Sequence, residues 1–189
     1  MDWVFAVERA YVAEATLPAN RRQPTQPPIK HPDLPRALAA IGAVASRYLA
    51  VGTPRTMGLI IASPEQVAHA QLSVDAHKTW FSPRELRCAT VDGSHVAAFG
   101  TPATITDALA CDIVCIHVPI GLDASKLRRG THLNALAPCT LDEDLVADVT
   151  QEVPGLGELA AGLIDGRQLD EITVFQAGDA HIALRALLS

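Results

Sequence analysis

The chain reads as an α/β protein built on a doubly wound, mostly parallel sheet in three layers, with an N-terminal helix on a proline-rich linker. Three observations predict this. Apolar runs of strand length recur at 56–62, 86–91, 112–119, 130–137 and 171–175, bounded by turn residues as strands are. Segments with helical spacing alternate with them, and strands alternating with helices pair in parallel. One run, Asp112 to Pro119, is apolar almost throughout, which suits a strand buried on both faces.

Residues 2–16 predict a helix that Asp2 caps, with Val4, Val7 and Tyr11 on one stripe that needs a partner surface. The segment from Leu17 to Pro35 holds six prolines and the pair Arg21-Arg22, the composition of an extended linker. Arg21, Arg22, Lys30 and His31 make that linker basic on an acidic protein. A second helix is expected over 36–51, with Leu38, Ile41, Ala45, Tyr48 and Leu49 on its apolar face and Gly52-Thr53-Pro54 ending it. The domain boundaries are therefore 1–16, 17–35 and 36–189. Within the last unit, a strand at 56–62 leads into a helix over 64–78, and a strand from Leu86 to Val91 ends at Asp92. Between Val96 and Ala110 we expect a short helix, a short strand near 103–105 and a helical turn. Further strands follow at 112–119, 130–137, 146–149 and 171–175, with helices at 157–164 and 180–188.

The turn after the 56–62 strand lies where a Rossmann-like domain cradles a dinucleotide, provided that it reads Gly-x-Gly-x-x-Gly. Here Ile61, Ser63 and Gln66 occupy the glycine positions. Ser63 at N-cap, Pro64 at N1 and Gln66 at N3 form the capping-box spacing, so Ser63 is expected to take the N–H groups that a diphosphate would use. Glu65 adds negative charge at the same tip, favourable to the helix dipole and repulsive to phosphate. Ser63 and Asp92, the acid after the second strand, are what remains of a cofactor site.

The formal charge of −6 argues against nucleic acid and against an anionic membrane as partner. No apolar run is long enough to span a bilayer, and the acidic start lacks the basic region of a secretory leader. Cys88, Cys111, Cys115 and Cys139 show no C-x-x-C spacing. Reduced thiols and a cytoplasmic location are expected, with no metal site. His117, His132 and Cys139 come from adjacent strand-like runs. They are the candidate catalytic groups if a Cys–His pair forms at the carboxyl edge of the sheet. Trp3 and Trp80 read as packing groups.

Five stretches together carry a family resemblance: LAAIGAVASRYLA at 38–50, RTMGLI at 55–60, ACDIVCIHVP at 110–119, LRRGTHLNALA at 127–137 and GELAAGLIDGRQLDEITVF at 157–175. In these the chain resembles the ornithine cyclodeaminase/mu-crystallin family, which includes alanine dehydrogenases and imine reductases. The resemblance implies a Rossmann domain, NAD(P) and hydride chemistry, and it also marks departures. Relatives carry a β-rich substrate and dimer region between the first two helices, where this chain has only residues 17–35, and the family's substrate lysine has no counterpart. Arg36 adjoins the position of the family's carboxylate-binding arginine without matching it. Cys139 stands where the family has its proton-transfer aspartate, and Ala177, Asp179 and Leu184 replace its last motif.

The expectation is therefore a catalytically silent relative with no cofactor. It would act through a protein partner or as a homo-oligomer, with Trp3, Val4, Val7, Tyr11, Arg21 and Arg22 as the contact residues. Two alternatives stand beside it: a shortened NAD(P)-dependent imine reductase or cyclodeaminase, and Cys/His chemistry at the sheet edge.

Overall fold

The computed structural model describes residues 2–18, 21, 30–50, 52–141, 149–152, 155–164, 171–177 and 180–189. Among them, helices α1 (Asp2–Ala15), α2 (Leu34–Leu49), α3 (Val67–His77), α4 (Ile105–Leu109), α5 (Leu156–Ala160) and α6 (His181–Leu188) surround a sheet. Its strands are β1 (Thr56–Ile61), β2 (Glu85–Thr90), β3 (Ile113–Ile116), β5 (His132–Ala135), β7 (Val149–Glu152) and β8 (Ile172–Gln176). The order is β2-β1-β3-β5-β8-β7, and every neighbouring pair is parallel. This is the doubly wound α/β architecture that the alternating pattern predicts. A two-stranded parallel ribbon, β4 (Ile120–Leu122) with β6 (Cys139–Leu141), stands apart from it.

Side chains alternate across the sheet with period 2, and the two faces bury different cores. Met57, Leu59, Ile61, Ile113 and Cys115 pack with Ala70 and Val74 of α3. Ile60, Val114, Ile116, Leu133 and Val174 pack with Ala108 and Leu109 of α4 and with Leu122 of the ribbon. Gly58 faces α4, and a Cβ at that position would overlap the Ala108 carbonyl oxygen. The glycine inside β1 therefore serves close helix–strand packing.

Several expected elements move. Residues 103–104 form no strand, and Ile105 opens α4 instead. Thr104 and Asp107 build a reciprocal capping box there, Asp107 N–H to Thr104 Oγ1 at 3.1 Å and Thr104 N–H to Asp107 Oδ2 at 2.8 Å. The helix expected over 64–78 begins with a 3-10 turn, Pro64–Gln66. Of the strand expected at 146–149, residues 146–148 lie outside the described residues, and β7 runs on from Val149.

The α1 stripe does not await a partner. Val4 and Val7 are fully buried and Tyr11 nearly so, in one core with Ala40, Ile41 and Val44 of α2, Leu156 and Leu159 of α5, and Leu184 of α6. The expected contact role of Val4, Val7 and Tyr11 is thus corrected: apolar side chains find the nearest apolar surface, which here is the chain's own. Trp3 packs against the same core, beneath the Arg36 guanidinium. Arg21 is exposed, and Arg22 lies outside the described residues.

Glu8 shares the buried stripe, and its carboxylate is met from α2. Arg47 Nη1 donates to Oε1 and Oε2 at 2.6 and 2.8 Å, and Tyr48 O–H donates to Oε1 at 2.5 Å. Burial and the neighbouring Glu8 carboxylate push the Tyr48 phenol up to about 12. A buried carboxylate needs such donors. Glu8→Ala strands both of them and is expected to lower stability by about 2 kcal/mol, or roughly 4–8 °C in the unfolding midpoint for a chain of this size. A thermal melt checks this, and an unchanged midpoint contradicts α1 docking through Glu8.

Candidate functional site

In an open α/β sheet, ligands gather where the strand order reverses, at the carboxyl ends of the strands. Here β1 leads to β2 on one side and the chain then returns to β3 on the other, so the crevice lies between β1 and β3. The His117 N–H donates to Ile60 O at 2.8 Å across it. The β1–α3 turn, the end of β2 with Asp92, and His117 surround this place.

The β1–α3 turn is closed by its own groups, although not as the capping box predicts. Ser63 is extended, with φ −154° and ψ 169°, and its hydroxyl caps nothing. The turn begins as a 3-10 helix, which draws the Gln66 N–H onto Ser63 O at 3.0 Å and the Val67 N–H onto Pro64 O. The Gln66 side chain reaches back one residue further than a capping box requires, and its Oε1 accepts the Ala62 N–H at 3.0 Å. Pro64 has no N–H to offer. Ile61 is fully buried in the α3-side core, and Glu65 is exposed at the tip.

Asp92 is exposed beyond β2. Its Oδ1 accepts the Ser94 N–H at 2.9 Å and the Ser94 hydroxyl, and the hydrogen bonds from Ser94 hold its carboxyl below the usual carboxylate range. Thr90 Oγ1 donates to Ser94 O at 2.6 Å and completes the turn.

The candidate catalytic trio does not assemble. His132 pairs in register with Ile113 at the start of β3, while Ala135 pairs with Ile116. His132 is therefore at the amino end of the sheet and His117 beyond the carboxyl end. Cys139 lies on β6 against the α4-side core, whereas His117 and His132 face the α2–α3 side. Burial pushes the Cys139 thiol up, away from the thiolate that a nucleophile needs. The four cysteines are free thiols. Among the described residues no group of three His, Cys, Asp or Glu is placed to hold a metal ion, and no helix is long and apolar enough to cross a membrane.

What the structure does bring together is a buried polar chain under α2 and α3. His117 Nε2 lies 3.2 Å from Ser73 Oγ, and His77 Nδ1 lies 2.7 Å from Ser73 O. His77 Nε2 lies 2.9 Å from Ser46 Oγ, which accepts Asn134 Nδ2–H at 2.8 Å. Asn134 Oδ1 lies 3.1 Å from His132 Nε2, and His132 Nδ1 lies 2.8 Å from Thr173 Oγ1. The protons can be placed by logic. A carbonyl only accepts, so His77 carries its hydrogen on Nδ1, and its Nε2 takes the Ser46 hydroxyl proton. His77 is thus neutral, with both ring nitrogens satisfied, as buried polar groups must be.

Burial holds His77 down at about 4, and burial likewise lowers His117. Between about pH 4 and the ordinary value of 6.5 the unfolded chain binds a proton that the folded chain refuses. The slope of stability with pH is positive there. The His77 contribution is present above pH 6.5 and is lost as pH falls toward 4, a loss of about 3 kcal/mol at most for a shift of this size. Denaturant midpoints measured from pH 7 to pH 4 should fall accordingly, and His77→Gln should flatten the fall.

Searches with the sequence match no protein-family model and no curated protein. Solved structures do match. An archaeal alanine dehydrogenase dimer with bound NAD superposes with a TM-score of 0.71 at 18% identity, over 98% of this chain and 88% of that one. The Δ1-pyrroline-2-carboxylate reductase of Thermococcus litoralis, in complex with NADH and L-proline, gives 0.60 at 17% identity, over 82% of this chain and 64% of that one. The iminosuccinate reductase of Paracoccus denitrificans with NAD+ gives 0.61 at 20% identity, over 82% and 62%. The chain spans less than two thirds of the last two. The fold is shared with these proteins, and it is the one that the resemblance to the ornithine cyclodeaminase/mu-crystallin family implies.

Proposed function

We propose that this chain is a catalytically silent member of the fold, a Rossmann-like module that works by contact with another protein rather than by hydride transfer. One observation carries the reading: the β1–α3 turn directs three of its backbone donors onto its own acceptors. The Ala62, Gln66 and Val67 N–H groups all have intramolecular acceptors, Ile61 stands in the place of a glycine, and the exposed Glu65 adds negative charge at the tip, which is unfavourable to a phosphate. The turn as built does not fit a dinucleotide diphosphate. The scattering of His117, His132 and Cys139 supports the same reading. Of the five large apolar side chains exposed among the described residues, four, Phe5, Leu17, Leu163 and Leu188, lie on or beside α1, α5 and α6, whereas Val91 follows β2, and the α1–α5–α6 layer is the contact face we favour.

The second reading is a shortened NAD(P)-dependent reductase or cyclodeaminase. It is favoured by the NAD-bound structures of the same fold and by Asp92, ionised at the end of β2 where a ribose hydroxyl would be held. The two separate in an activity assay. The protein, incubated with NADH or NADPH and a cyclic imino acid, should leave the nicotinamide absorbance at the enzyme-free rate. Oxidation that scales with protein concentration establishes the second reading.

A further inference from the structure

We infer that the amino edge of the sheet, opposite the expected cofactor crevice, is a docking surface for a short acidic segment of a partner protein. The strand order β2-β1-β3-β5 sets the entries of four strands side by side. Arg84 precedes β2, Arg55 precedes β1, Asp112 precedes β3, and Lys126, Arg128 and Arg129 precede β5. All five cations are exposed.

The row is braced by its own backbone. Arg84 N–H donates to Arg55 O at 2.7 Å, and Arg55 N–H donates to Asp112 Oδ2 at 2.8 Å. His132 N–H donates to Asp112 O at 2.9 Å. The acids in the row are already engaged. Asp112 takes the Arg128 guanidinium, Asp123 faces Lys126 at 3.9 Å, and Glu85 takes Arg87 at 2.7 Å. The guanidiniums of Arg55, Arg84 and Arg129 have no ion pair among the described residues. They form a positive ridge on a protein whose formal charge is −6. Glu171, ahead of β8, ends the ridge.

The size of the ridge selects the partner. From β2 to β5 is three inter-strand spacings, about 14 Å, which matches four or five residues of extended chain. Guanidinium forks suit carboxylates on such a segment. A long polyanion such as nucleic acid would instead meet the acidic remainder of the surface, which repels it. This inference stands on surface charge alone and can fail without touching the closed turn, because it concerns the other end of the sheet.

The test uses a fluorescein-labelled peptide of six glutamates, with fluorescence anisotropy against the intact chain. Binding should saturate at low salt and weaken as salt rises. The Arg55→Glu/Arg84→Glu/Arg129→Glu variant should bind about tenfold more weakly or not at all, since charges on a contact surface set complementarity. A charge-matched control away from the amino edge, Arg9→Glu/Lys30→Glu/Arg185→Glu, should stay within about twofold of the parent. Circular dichroism monitors folding, and Arg129→Glu alone, at a free exposed side chain, serves if the triple variant is unfolded. Absence of peptide binding, equal loss in the control, or tighter binding of a labelled oligonucleotide than of the peptide overturns the proposal.

Discussion

Asn134→Ala should lower the stability of this protein by about 3–4 kcal/mol, roughly 6–16 °C in the thermal midpoint. Asn134 is fully buried at the centre of the polar chain beneath α2. Its amide donates to Ser46 Oγ at 2.8 Å, and its carbonyl faces His132 Nε2 at 3.1 Å. Truncation removes the donor to Ser46 and the acceptor facing His132 at once. Each orphaned buried group costs about 1–3 kcal/mol, and a shared network makes the losses larger than isolated pairs suggest. Asn134→Asp is the informative companion. It keeps the shape and an acceptor for His132 but removes the donor to Ser46, so it should be destabilising and most so at neutral pH, where the carboxylate is charged. If Asn134→Ala melts with the parent, the chain of histidines is not holding α2 to the sheet.

Gly58→Val should be comparably damaging for a different reason. The position is in the middle of β1, and even a Cβ would overlap the Ala108 carbonyl oxygen and crowd its carbon. That neighbour is backbone, so it cannot rotate away. Either α4 lifts from the sheet or β1 shifts in register, and overpacking of this kind costs about 3 kcal/mol or more. The far-UV signal should stay helical and stranded while the denaturant midpoint falls. A Gly58→Val protein with parental stability would mean that α4 does not pack where it stands here.

Much of the architecture was legible because its signals are local. A run such as DIVCI and the helical spacing of LAAIGAVASRYLA declare themselves within a few residues. The misses also have local reasons. The ribbon of β4 and β6 has strands of three residues, too short to show a period. Residues 103–105 look like a strand by β-branching, although Thr104 and Asp107 already spelled a helix start. The reading of Ser63 as a cap failed because Pro64 and Gln66 wind the first turn as a 3-10 helix, which puts the serine carbonyl rather than its hydroxyl to use. Glu8 within an otherwise apolar stripe was a readable sign that α1 meets a cation, and Arg47 is that cation. The histidine chain was not readable at all. It draws on residues 46, 73, 77, 117, 132, 134 and 173, which only the sheet order brings together.

The closed β1–α3 turn is the point on which the functional account rests, and binding of the reduced cofactor measures it directly. Titrating NADH and NADPH into the protein and following the nicotinamide fluorescence should give no saturable change below about millimolar concentration, the range of an affinity weaker than roughly −4 kcal/mol. Saturable binding at micromolar concentration, lost on Asp92→Ala, would contradict the account and make the chain a cofactor-binding reductase with an altered turn.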